Sequence, residues 1–514
     1  MHEKRFITTK RRAPMIRYRS QKQLTLTGFK TPFETELDAN NRWVTLSECI
    51  PWDELAEGYY QGFSTSQGRP TKDARLVIGA VIIKHKLCLS DEETVLQIQE
   101  NPYLQYFVGL PGYQSGVPFV PSLFVEIRKR MGQAVFDIFQ GAIINTIESK
   151  KVKPESSSLA SSKPDVAEET ESDPTLPAAT RDENEDASAA CDDKESPMPQ
   201  GKLILDATVV EQAIRYPTDL NLLNEAREFS EQIIDILHVK SKAKNKKPRT
   251  YRQNARKAYL SVVKQRRPGR KVLRRGLKQQ LQYLRRNLGH IETLLECWPE
   301  GTALPLPRWL LHRYWVIQHV YAQQSEMHKN KTRRCDHRIV SISQPYVRPI
   351  IRGKLNKPVE FGAKLSVSIS GEGIACVDHL RWTAFHEGHD LEAQVEAYKE
   401  RYGYYPASVL VDPLYGTRDN RRYLKKHNIH FAGKPLGRAK KKTEENKEEL
   451  KRLKAQRRED YRQRIPIEGK FGQGKSSYQL NTIRAKRADT SVAWINSIFL
   501  VMNLLVLLRV FSGL

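Results

Sequence analysis

The chain has 514 residues, 39% of them hydrophobic, and a formal net charge of +26. That length and apolar content suffice for about two or three packed domains, and the charge points to a polyanionic partner, nucleic acid or an anionic membrane surface. The six cysteines, at 49, 88, 191, 297, 335 and 376, are scattered without a CxxC pair, which excludes a disulfide framework and reads as a reduced, intracellular protein.

The opening stretch, MHEKRFITTKRRAPMIRYRS, has no apolar core, so residues 1–30 read as a basic arm rather than a secretory signal. Residues 31–150 carry helical spacing. In DARLVIGAVIIKHKLCLSDEETVLQIQENPYLQYFVGL the pattern breaks at Leu89-Ser90-Asp91, where Ser90 and Glu93 fit a capping box. Two helices across a tight turn, with VPSLFVEIRKRMG as a third, make an all-α, helix-turn-helix-like module. Packing alone also produces such hairpins; it is Arg128, Lys129 and Arg130 on the third helix that favour DNA contact. Residues 151–200 follow as an acidic linker. Between 154 and 200 stand thirteen acids and three bases, with almost no large apolar side chain. Such a segment cannot offset its ordering entropy by burial, so disorder is expected.

After the linker, KLILDATVV (202–210) predicts a short strand ending at Asp206. A basic helical insertion, about 222–337, comes next. Residues 240–290 hold nineteen Lys or Arg and no acid, with Tyr251, Tyr259, Leu273, Leu277, Leu281, Tyr283 and Leu284 recurring as an apolar stripe. A charge run is usually a solvated face, but this one exceeds what solubility needs. Arg266, Arg267, Arg274 and Arg275 are therefore candidate phosphate contacts. From 338 the period becomes strand-like in RIVSIS, GAKLSVSIS and GIACVDHL. DLEAQVEAYKERYG (390–403) predicts a helix, ASVLVD (407–412) a buried strand ending at Asp412, TRDNRRYLKKHN (417–428) a helix and IHFAG a strand. Residues 201–514 thus read as a ribonuclease-H-like α/β core, a mixed sheet with flanking helices, interrupted by the insertion. The apolar run SIFLVMNLLVLL (497–508) is short for a bilayer span and predicts a buried helix closing a core.

The segment YRQRIPIEGKFGQGKSS (461–477) has two incompatible readings. Gly469, Gly474, Lys475 and Ser476 fit a phosphate loop, yet the preceding REDYRQRIPIE is too charged for the buried strand that motif requires. The other reading centres on Glu468, the one acid of the segment, set among bases. Carboxylates from neighbouring strands can share a pair of divalent cations that activate water and stabilise a leaving oxygen. Asp206, Asp412 and Glu468 are placed for this. Three other patterns are weaker. His386, His389 and Asp390 lack HExxH spacing, and Asp390 suits the start of a helix. Cys335, His337, Cys376 and His379 form only short mixed pairs as zinc ligands. Trp309 and Trp315 read as core residues, with stacking on an extruded base as the other reading.

Tyr461, Arg464, Glu468 and Lys475 match a Tyr-x2-Arg-x3-Glu-x6-Lys signature at every spacing. On that signature, with LILDATVV, VLVDPLYGTRDNRRYL, RPIIRGKLNKPVEFGAKL and RYPTDLNLLNEARE, the chain resembles bacterial insertion-sequence transposases of the DDE class. The resemblance implies a DNA transposase that cleaves element ends and joins them to target DNA. It implies Asp206, Asp412 and Glu468 as ligands of two Mg2+ ions, with Mn2+ substituting. Tyr461, Arg464 and Lys475 would position the DNA strand. Expected partners are double-stranded DNA, both terminal inverted repeats and target, and a second copy as a dimer on DNA, with no membrane and no nucleotide cofactor. The expected location is cytoplasmic, on the nucleoid when DNA-bound. A decayed transposase that only binds DNA is the alternative.

Overall fold

Apolar spacing in the N-terminal third yields seven helices among the described residues: α1 (Arg42–Cys49), α2 (Trp52–Tyr60), α3 (Ala74–Leu87), α4 (Asp91–Glu100), α5 (Pro102–Phe107), α6 (Leu123–Arg130) and α7 (Gln133–Val152). The computed structural model describes residues 29–31, 36–63, 70–152, 198–240, 246–298, 302–351, 358–437, 443 and 446–512. The basic arm up to residue 28 and most of the acidic linker, 153–197, lie outside the described residues. Helix starts follow local chemistry: Asn41, Asp73 and Asn101 each accept a first-turn backbone N–H. Ser90 likewise caps α4, accepting from Glu93 N at 3.0 Å, but the Glu93 carboxylate takes Gln97 instead of reaching back. Only half of the expected capping box forms.

Among the described residues, six strands build one sheet: β1 (Lys202–Glu211), β2 (Arg348–Ile351), β3 (Val359–Ser370), β4 (Ala375–Arg381), β5 (Ser408–Leu410) and β6 (His430–Phe431). β1 lies antiparallel to β3 and parallel to β5; β3 also pairs antiparallel with β2 and β4, and β5 parallel with β6. This mixed order is compatible with a ribonuclease-H-like core. At Gly362 the strands close tightly, and a Cβ there would sit 1.9 Å from the Val210 carbonyl oxygen. Alternation sends Leu203, Leu205 and Val409 to one face, under α12 (Leu391–Tyr402) and α13 (Arg418–Lys426). Ile204, Val210, Leu365, Val367 and Leu410 face the other way, toward α14 (Lys447–Ser477) and α15 (Ala488–Ser512).

Between β1 and β2 stand four helices, α8 (Asp219–Lys240), α9 (Arg252–Val263), α10 (Arg270–Glu296) and α11 (Arg308–Lys329), around their own apolar cluster. Leu281, Leu284, Leu288 and Ile291 of α10 supply one seam of it. Trp309 and Trp315 are not core residues, contrary to their expectation: they are 53% and 57% exposed, and Arg313 lies 4.7 Å over the Trp309 ring.

α15 is long and apolar enough to cross a bilayer, but 78% of its apolar window is buried inside the protein. It packs against α3, α6 and α7 as well as β4, so one apolar cluster runs from the N-terminal helices to the sheet. Asn503 on α15 pairs with both backbone groups of Ala375, at 2.9 and 2.8 Å, satisfying a polar side chain in that core.

Candidate active site

Two of the predicted carboxylates stand side by side because two strands share register. Ile204 pairs with Leu410 across the parallel β1–β5 contact, and Asp206 and Asp412 each lie two residues further on. Neither ends its strand. Asp206 sits midway along β1, opposite Val367 of β3, at the level where β5 has ended and frees the neighbouring edge. Asp412 lies beyond β5 and caps a short 3-10 turn, Pro413–Tyr415, accepting from Leu414 N at 3.4 Å.

The third carboxylate comes from α14. Offsets of −7, −4 and +7 residues from Glu468 fall within a narrow sector at 3.6 residues per turn. Tyr461, Arg464, Glu468 and Lys475 therefore share one helix face. The Arg464 guanidinium spans the gap, donating to Asp206 Oδ2 at 3.0 Å and to Glu468 Oε1 at 2.5 Å. Its fork lies 5.8 Å from the centre of the exposed Tyr461 ring. Burial pushes the Asp206 carboxyl above its ordinary range; the Ala207 N–H and Arg464 oppose this, and the charges of Asp412 and Glu387 add to it.

Glu387 was not foreseen. It belongs to the FHEGHD stretch, where a 3-10 turn (Glu387–Asp390) packs on the turn after Asp412. Asn420 of α13 ties the two turns, donating from Nδ2 to the carbonyls of Gly388 and Tyr415 at 2.7 and 2.8 Å. Lys364 of β3 holds Glu387 at 2.7 Å. The sequence signal was an acid between two histidines, but the histidines drew attention from it. Asp390 stands at the N-cap position of α12, as its helix-entry reading expects, but its buried side chain makes no capping hydrogen bond and accepts from Arg381 at 2.9 Å instead.

The phosphate-loop reading fails on backbone shape. Gly469, Gly472 and Gly474 all lie within the continuous helix α14, so no loop exists there to cradle a phosphate. The zinc reading fails too: Cys376 is buried in β4, and among the described residues no group of three or more His, Cys, Asp or Glu side chains is gathered to hold a metal ion.

The basic candidates divide. Arg128 is buried and forks onto Asp91 at 2.9 and 2.8 Å, which corrects its assignment as a DNA contact: its donors face inward. Lys129 pairs with Glu126 at 2.6 Å, and Arg130 lies over Phe63 at 5.1 Å. Arg266 and Arg267, in the turn between α9 and α10, and Arg274 and Arg275 on α10 are exposed. None of these four has an ion-pair partner among the described residues.

Comparison with known proteins gives two family matches. Residues 409–505, from β5 through Glu468 into α15, match the model of a transposase DDE domain. Residues 31–130, covering α1 to α6, match the model of a second transposase domain. Both matches are to transposase domains, and together they support an insertion-sequence DDE transposase. An uncharacterized protein of Rhizobium meliloti, ORF8 in the nfe locus, is 32% identical over 129 residues, which is 25% of this chain and 62% of that protein. The likeness thus spans less than two thirds of that relative. No solved structure matches significantly.

The family implies dependence on a divalent metal, typically Mg2+. Hard carboxylate oxygens are the right donors for that ion. Asp206 and Asp412 are adjacent, but Glu468 is turned to Arg464 and stands apart from them as a ligand. The donor chemistry fits; completing the set requires Arg464 to release Glu468.

Proposed function

We propose that this transposase cleaves the ends of a mobile element and joins them to target DNA by phosphoryl transfer, with Asp206, Asp412 and Glu468 as its acidic centre. The observation that supports the reading is the β1–β5 register, with Asp206 and Asp412 each two residues past the Ile204–Leu410 pair and Arg464 of the α14 signature face donating to Asp206. When bound, two Mg2+ ions would supply activation of the attacking oxygen and charge stabilisation on the departing one. The protein's own groups orient the DNA. The Arg464 fork suits bidentate contact with a phosphate, and Lys475 on the same face adds a point charge. Tyr461, exposed beside them, offers an aromatic edge to the strand. Lys364 restrains Glu387, so the turn bearing it and the turn after Asp412 keep a fixed relation. Arg266, Arg267, Arg274 and Arg275 provide backbone contacts away from the chemistry. Two ends must be brought together, so a dimer on DNA is the working assembly, in the cytoplasm.

Nicking and joining of a duplex carrying an element end, in Mg2+ or Mn2+, tests this. Asp206→Asn, Asp412→Asn and Glu468→Gln should each abolish cleavage while DNA binding by gel shift persists. A variant that nicks like wild type removes its residue from the site. Wild-type binding without metal-dependent cleavage would instead support a non-catalytic DNA-binding protein.

A further inference from the structure

A cavity of about 330 Å3 lies between the N-terminal helices and the chain that leaves α14. Small ligands occupy pockets of about 300–1,000 Å3, so this one is large enough to hold a ligand. Its charged wall comprises Lys84 of α3, Asp91 and Glu92 of α4, Arg128 of α6, and Arg484, Lys486 and Arg487 from the segment after α14, five cations against two acids. The signs do not balance. Asp91 already receives Arg128 in a fork and Lys84 at 3.0 Å, and the two cations are only 9% and 2% exposed. Two buried cations share one carboxylate, and a buried charge without compensation is unfavourable.

Further observations converge on the same space. Lys84 gives one donor to Asp91 and another to the Leu89 carbonyl at 2.7 Å, leaving a third of its ammonium protons. Burial lowers the Lys84 pKa, Asp91 opposes that, and Arg128 and Arg484 add to the lowering, so positive groups crowd one another here. Arg484 and Lys486 have no hydrogen-bond or ion-pair partner among the described residues, whereas Arg487 is held by Asp489 at 2.7 Å. Two residues lining the cavity, Cys88 and Gln479, adopt left-handed backbone conformations with φ of 57° and 54°. Such conformations are unfavourable for residues with a Cβ and gather at ligand sites.

We propose that this cavity binds a phosphate group, seated by Arg484 and Lys486 at its mouth and by the remaining Lys84 donor behind them. The phosphate belongs either to a DNA backbone or to a free phosphate ion. Bound there, it neutralises the excess charge and ties the N-terminal helices to the chain leaving α14. The site is independent of the carboxylates on β1, β5 and α14.

Calorimetric titration of the full chain with inorganic phosphate, at ionic strength matched with sodium chloride, tests the site. Arg484→Gln/Lys486→Gln replaces two exposed side chains and should weaken phosphate binding at least about tenfold. Arg457→Gln/Arg458→Gln, exposed on α14, should leave it unchanged and controls for general basic charge. Equal phosphate affinity in wild type and both double variants, or no binding by wild type, overturns the proposal. Displacement of the bound phosphate by an unrelated duplex identifies the occupant as a backbone phosphate. Retention of phosphate in the DNA complex identifies it as a free ion.

Discussion

α6 and the α9–α10 region carry similar basic runs, Arg128-Lys129-Arg130 in one and Arg266-Arg267 with Arg274-Arg275 in the other, yet the fold uses them differently. On α6 the first arginine is turned inward, 37 residues from the aspartate it clasps. On α10 the arginines lie along a helix whose opposite side, Leu281, Leu284 and Leu288, is already buried against α8. The difference lies in the partner element. α4 presents Asp91 to α6, whereas among the described residues no acid is paired with the four arginines around α10. Basic residues in a run therefore report a DNA face only after the neighbours have taken their share.

The comparison would break first at Arg128. Arg128→Met should destabilise the fold by about 1–3 kcal/mol through loss of the two fork hydrogen bonds, since Lys84 remains to compensate Asp91. Denaturant unfolding measures it, and Arg274→Gln/Arg275→Gln should unfold like wild type. A stability loss within experimental error at Arg128 would mean the fork contributes little. On the other side, replacing Arg266, Arg267, Arg274 and Arg275 together with Gln should lower the slope of log affinity against log salt. Each phosphate contact contributes about 0.9, so the slope falls by up to about 4 units if all four touch DNA. The loss should be the same on unrelated duplexes as on element ends, since phosphate contacts carry no sequence information. An unchanged slope would return these arginines to a solvated face.

The smallest expected effect concerns acid. Burial raises the Asp91 carboxyl, but the Arg128 fork and Lys84 outweigh it and hold its pKa below the ordinary value. A carboxylate depressed on folding stabilises the protein above its unfolded pKa, and that contribution fades as pH falls through the folded one. Asp91→Asn should therefore flatten the loss of stability on acidification below the usual carboxylate range. Parallel acid profiles for variant and wild type would remove Asp91 from the pH response.

What could be read from the sequence follows the reach of each signal. Periodicity and spacing act within one element, and there they served well. The spacing of Tyr461, Arg464, Glu468 and Lys475 falls on one face of α14, and the strand runs around Asp206 and Asp412 became adjacent strands. Their placement at strand ends was misjudged because β1 continues to Glu211 on its pairing with β3, a partner more than 150 residues away. The same limit hid Glu387, whose relation to Asp206 depends on two turns meeting in space. It also put the exposed Trp309 and Trp315 in the core, since an aromatic on a helix carries no mark of which side is covered. The glycines and lysine after Glu468 resembled a nucleotide loop only while the helix containing them was unknown.

The packing of α15 has a bearing on how the chain comes to its native state. A ribosome delivers α15 after every other described element, yet α3, α6 and α7 bury apolar side chains against it. Until it emerges, those helices have no complete surface to close on. The N-terminal region must wait, partly assembled and with sticky flanks, through the synthesis of the whole sheet and its insertion. A message cut short before α15 should yield a product with the apolar flanks of α3, α6 and α7 left uncovered, a ready target for chaperones and proteases.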